Sequence, residues 1–214
     1  MLRIMKQKAK GCGKMQKAET DKNRFTAYTS PGILQDGGSV ADGYEITALN
    51  CDGTVRKEEV TSQEYAVWAA CHGTAVSRQA VHESSDGIAS LGEPADSVID
   101  GLIKRGLIVT GSGSSHSAAC MDALKKLYLF PLVWENRNLI SPESGLSATL
   151  LSHRFMKHLL PRDEKELLNF LSGGAACTLR KFCEEHGDGE DVRSAVTDLI
   201  GKCYLLPCGL DTGR

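Results

Sequence analysis

A chain of 214 residues can form one large or two small domains whose cores need no disulfide or metal staples. Its 41% hydrophobic and 24% charged residues are ordinary for a globular protein, and no run of 18 apolar residues offers a membrane span. No apolar stretch follows the basic N-terminus, which argues against a secretory signal, and eight cysteines without such a signal suit reduced thiols in a cytoplasm.

The net charge of −2 conceals an asymmetry. Residues 1–24 hold eight Lys or Arg against Glu19 and Asp21, a balance of +6 that leaves −8 on the remainder. Residues 1–27 are therefore expected to be a basic, disordered tail able to touch nucleic acid or an acidic partner. From Tyr28 to Val60 the chain reads as a three-stranded meander. Ile33 and Leu34 lie between Pro31-Gly32 and Asp36-Gly37-Gly38, both turn signals. Tyr44, Ile46 and Ala48 then alternate with Glu45 and Thr47, as in a half-buried strand. Asp52-Gly53 is a hairpin turn whose residues tolerate positive φ, and Thr54 to Val60 is the returning strand.

Thr61 and Glu64 form a capping box, with Val60 placed to pack on Tyr65 as a hydrophobic staple. Tyr65, Trp68 and Ala69 are the expected buried stripe of this first helix, which Gly73 ends. A second helix is expected near Ala75 to Glu83. Pro94 suits the first position of a third, whose core face is Val98, Ile99, Leu102 and Ile103. Gly106 stops that helix, Leu107 to Val109 enter a strand, and Gly111-Ser-Gly-Ser-Ser115 reads as a wing tip or mobile turn.

A hundred residues later the same plan recurs. Thr61 and Asp163, Glu64 and Glu166, Tyr65 and Leu167, and Trp68 and Phe170 pair at a separation of 102 residues. Ile99 and Val196, Leu102 and Leu199, and Ile103 and Ile200 pair at 97. Such a repeat fixes architecture before any other feature. Between the copies, Leu127 to Trp134 is a candidate strand, and Leu146, Leu150, Leu151, Phe155 and Leu159 a candidate amphipathic helix. The expected fold is α+β: a tail (1–27), a meander plus winged-helix module (28–115), a connecting strand and helix (116–160), and a second winged-helix-like module (161–214).

Candidate chemistry is sparse. Cys177, Cys183, His186, Cys203 and Cys208 could be gathered into a zinc site, but spacings of six and five lack the close pairs that pre-organise a tetrahedron. Cys203 matches the helix-stopping Gly106, and Cys183 falls on the core side of its helix, so no metal is expected. Ser114, Ser115, His116 and Cys120 lack the order of a nucleophile elbow, and no glycine-rich phosphate loop is present. Cys71 is expected as a buried thiol and His72 as a positive partner for the helix C-terminus. His82, His153, His158 and His186 are expected on helix surfaces or ends. No catalytic residue and no cofactor is expected. The outward faces of the third helices carry Asp96, Ser97, Asp100 and Lys104 in the first copy, and Glu190, Arg193, Ser194, Thr197 and Asp198 in the second. Neither is the basic stripe that phosphate contacts require. Arg78 and Arg180 match each other and are the candidate contacts of a DNA-binding alternative.

Residues 31–109 resemble the PqqD-like domain, also called the RiPP recognition element. The resemblance rests on Asn50-Cys-Asp-Gly-Thr54 at the hairpin, Val67-Trp68-Ala-Ala-Cys71-His-Gly73-Thr74 after the first helix, and Leu102-Ile-Lys-Arg-Gly-Leu107-Ile108 after the third. It covers about a third of the chain. His72 stands where an acidic residue is common, and the loop before the third helix is long. The resemblance implies three strands followed by three helices, with a precursor-peptide leader adding a strand at the sheet edge against the third helix. Carried onto this chain, the peptide-binding residues are Val55, Lys57 and Glu59 with Asp96, Asp100 and Lys104, an acidic groove suited to a peptide with Lys or Arg. The expected function is a non-catalytic adaptor that presents a precursor peptide to a modifying enzyme.

Overall fold

The structure, a computed structural model, describes residues 24–34, 43–89, 94–132 and 157–211. The fold is mixed α+β, with seven helices and three small antiparallel sheets among the described residues. Strand β1 (Phe25–Thr29) precedes a meander of β2 (Ile33–Leu34), β3 (Gly43–Leu49) and β4 (Val55–Thr61). Helices α1 (Ser62–Cys71), α2 (Arg78–Ala89) and α3 (Ala95–Lys104) follow, then β5 (Val109–Gly113), α4 (His116–Leu124) and β6 (Leu127–Pro131). After a 3₁₀ turn at Lys157–Leu159 come α5 (Arg162–Leu171), α6 (Leu179–His186), α7 (Glu190–Gly201) and β7 (Leu205–Leu210).

The duplication reaches further back than the helices. Strand β1 pairs antiparallel with β5 after three helices, and β6 pairs antiparallel with β7 after three more. Strand β6 starts at Leu127 and β1 at Phe25, the same separation of 102 that relates the first helices. Gly106 and Cys203 end the third helices with φ of 66° and 58°, and Cys203 is the one described non-glycine with positive φ. A side chain takes this left-handed conformation at a cost, because the same helix stop is needed in both copies.

Each copy has its own core. The first gathers Tyr28, Ile46, Val60, Val67, Trp68, Val98, Ile99, Leu102 and Leu107. The second gathers Leu127, Leu167, Leu168, Leu171, Leu179, Phe182, Val196, Leu199 and Leu205, with Met121 and Leu124 of α4. The capping box forms as read: the Glu64 N–H donates to Thr61 Oγ1 at 3.2 Å, and the Thr61 N–H to Glu64 Oε2 at 2.9 Å. Helix α1 buries Val67, Trp68 and Cys71, while Ala69 is exposed. The expected stripe of Tyr65, Trp68 and Ala69 is thus rotated, because α1 is wedged between the meander and the other two helices. Pro94 is the N-cap of α3 rather than its first residue. Helix α2 starts and ends later than read.

Two expectations fail here for packing reasons. The tail boundary at residue 27 is too late, since Phe25 to Ala27 belong to β1 and Ala27 is fully buried. The Gly-Ser string is no mobile turn: Gly111 to Gly113 complete β5, and Ser115 caps α4 through the Ala118 N–H. A Cβ on Gly111 would lie 2.1 Å from the Ala119 oxygen, and one on Gly113 2.6 Å from the Ala118 Cβ. The glycines therefore let α4 rest directly on the β1–β5 ribbon. Of the expected connecting helix, Leu146, Leu150, Leu151 and Phe155 lie outside the described residues, as does His153, and Leu159 is 61% exposed.

The two copies meet along β7. The Gly32 N–H donates to the Pro207 oxygen at 2.7 Å, the Cys51 N–H to the Leu210 oxygen at 3.3 Å, and the Leu210 N–H to Asn50 Oδ1 at 3.0 Å. A Cβ on Gly209 would fall 2.1 Å from the Leu49 oxygen, so backbone meets backbone at this seam. Among the described residues no helix is long and apolar enough to cross a membrane.

Candidate functional site

Strand β4 is an edge. Its sheet runs β2–β3–β4, with β3 its one strand neighbour among the described residues. The Asn50 N–H donates to the Thr54 oxygen at 3.0 Å, which sets the hydrogen-bonding alternation of the antiparallel pair. With Val55 opposite Leu49, Lys57 opposite Thr47 and Glu59 opposite Glu45, these three residues occupy the non-hydrogen-bonded positions. Their N–H and C=O groups consequently point away from β3. Arg56, Glu58 and Val60 turn their backbone toward β3 and their side chains toward the helices, where Val60 is 3% exposed. Val55 is 61% exposed, and Lys57 pairs with Glu45 at 2.8 Å across the outer face.

Helix α3 offers two different flanks. Asp96 accepts from Arg78 Nε at 2.7 Å and contacts His82 Nε2 at 2.9 Å, while Arg78 Nη2 reaches Asp100 at 3.5 Å. The hydrogen bond from Arg78, then that from His82, holds the Asp96 carboxyl below the ordinary carboxylate range. Both acids thus face α2. At 100° per residue, Arg105 stands about 180° around the helix from Asp96, on the side of β4. Its Nη2 donates to the Glu59 oxygen at 2.6 Å and to Glu58 Oε2 at 3.0 Å, and its Nη1 to Glu64 Oε1 at 2.8 Å. Arg56 lies 2.9 Å from Glu58 Oε1 and donates to the Arg105 oxygen. Burial opposes the charge of Arg105, but the bond to Glu58 and the field of Glu64 outweigh it and raise its pKa.

The structure therefore brings Val55, Lys57 and Glu59 to one open edge and leaves Asp96 and Asp100 on the far flank of α3. The expected acidic groove is absent from the β4 side, which carries Arg56 and Arg105 against Glu58 and Glu64. Lys104 is exposed at the end of the same helix. Sequence reasoning missed Arg105, although its half-turn offset from Asp96 was legible.

The other candidates separate. Arg180 lies 3.6 Å from Asp211, whose side chain is 4% exposed. Among the described residues no group of three potential ligands could hold a metal, and Cys177, Cys183, His186, Cys203 and Cys208 form no cluster. Burial pushes the Cys183 thiol up to about 11, and those of Cys71 and Cys208 to about 12. Cys120 Sγ stands 3.5 Å from His116 Nε2, yet burial raises its pKa too, the reverse of an activated nucleophile. Ser114 is exposed and Ser115 is spent as a cap. His72 is no positive partner for its helix: burial lowers its pKa, and its ring stacks on Trp68 at 4.4 Å. His82 engages Asp96, His158 is exposed, and His186 stacks on Phe182 at 4.4 Å. Comparison with protein-family models, curated proteins and solved structures finds no match.

Proposed function

We propose that this protein is a non-catalytic adaptor of two winged-helix-like modules that takes an extended peptide as an added strand on β4. The reading extends to the PqqD-like resemblance: the peptide is the leader of a precursor peptide, held for a modifying enzyme, in a cytoplasm. One observation carries it. The outward N–H and C=O groups of Val55, Lys57 and Glu59 form a strand template beside a helix, the arrangement through which main-chain bonds supply affinity and neighbouring side chains supply selectivity. The duplex-binding alternative gains nothing comparable, since Arg78 and Arg180 are both engaged by carboxylates.

Lys57→Pro tests the reading. Proline removes one outward N–H but no bond to β3, so the sheet should persist. Displayed random 12-residue peptides selected on the wild type should bind the variant at least about tenfold more weakly, the worth of one or two main-chain bonds. Equal binding to both would refute addition at this edge.

A further inference from the structure

Resting on the strand-addition reading, a finer assignment follows from Arg105. Glu59 offers one of the three outward carbonyls, and this one is already taken by the Arg105 guanidinium at 2.6 Å. The same head group is held by Glu58 and Glu64, so it spans the opening between β4 and α3 where an added strand would lie. The second copy has no counterpart: position 202, 97 residues on, is a lysine whose ammonium bonds the buried Glu164 at 2.7 Å.

We infer that Arg105 is a displaceable cap on the β4 edge, and that the peptide which displaces it carries an Asp or Glu at the position facing Val60. That position is one along from the residue that bonds Glu59, where the pleat turns its side chain to the helix face beside Arg105. The chemistry is one of donor accounting. An arriving peptide N–H takes the Glu59 carbonyl and strips Arg105 Nη2 of its backbone acceptor. A guanidinium donor left without an acceptor in a partly desolvated site costs more than a neutral one. A peptide amide side chain offers one weak oxygen, and a lysine or arginine offers none. A carboxylate accepts in the fork geometry that a guanidinium presents. Charge points the same way. On the helix face of β4, Arg56 and Arg105 are balanced by Glu58 and Glu64, the Glu59 carboxylate lies on the opposite, outer face, and Lys104 adds a cation with no ion-pair partner among the described residues. This reverses the lysine- or arginine-bearing peptide expected from Asp96 and Asp100, which face α2.

The test uses synthetic peptides from the wild-type selection, each made with Glu and with Gln at the position facing Val60, titrated calorimetrically against the full chain. Wild type should prefer Glu about tenfold, the scale of one charge-assisted hydrogen bond. Arg105→Met should reduce that preference to about threefold or less, and should bind the Gln peptide at least as tightly as wild type does because the cap is gone. Arg105→Lys covers the chance that the Met variant unfolds: it keeps the cation, loses the bridge, and should show an intermediate preference. A Glu preference that persists in Arg105→Met, or one absent from wild type, would overturn the assignment while leaving strand addition intact. Peptides indifferent to Lys57→Pro would overturn both.

Discussion

Arg105 and Asp96 sit nine residues apart on nearly the same helix, yet they serve opposite flanks. Composition alone made the outward side of α3 look acidic; the helical offset decides which charges meet β4. His72 teaches a similar lesson. A histidine after a helix reads as a dipole partner until its surroundings are known, and here the ring is pressed against Trp68 with Nδ1 3.3 Å from the Ser30 oxygen. Its folded pKa lies below the ordinary 6.5, so folded protein binds fewer protons than unfolded protein as pH drops. Stability from this site is present above that ordinary value and is lost as pH falls through and below it. Chemical denaturation of wild type should therefore weaken more steeply between pH 7 and 5 than that of His72→Phe, which keeps a stacking ring. Parallel curves would mean His72 is protonated without penalty.

At the scale of elements, what the sequence disclosed were features written in local chemistry. The capping box and the alternation of β3 needed only a few neighbouring residues to be recognised. Thr61→Ala should cost about 1 kcal/mol in urea melts, since it removes the side-chain acceptor of the α1 cap. The Gly-Ser string was opaque for a physical reason: a mobile loop and a strand lying under a helix both call for residues without bulk. Only the approach of Ala119 and Ala123 distinguishes them. Gly111→Ala should accordingly destabilise by about 3 kcal/mol or more, as overpacking against backbone does, where a true loop glycine would tolerate alanine. Little or no change in the melt would return this segment to the loops.

Over the whole molecule, the repeat was visible through its helix caps and core stripes, whereas the strands that close each copy were hidden. Strands β1 and β5 share no local pattern because they are 80 residues apart and recognise each other only through the fold. The seam at β7 was hidden likewise: Gly209 looks like any glycine until Leu49 is beside it. Gly209→Ala should push the copies apart and split a single thermal transition into two, one per core. A single transition at the wild-type temperature would show that the seam carries no coupling.

The alternation along β4 remains the foundation of the functional account, and residue-resolved amide hydrogen exchange tests it most directly. In the free protein the amides of Arg56, Glu58 and Val60 should be protected by β3, while those of Val55, Lys57 and Glu59 exchange freely. Adding a selected peptide should protect the second set and leave the first unchanged. Protection of Val55, Lys57 and Glu59 in the free protein, or no gain on adding peptide, would contradict an open strand-binding edge.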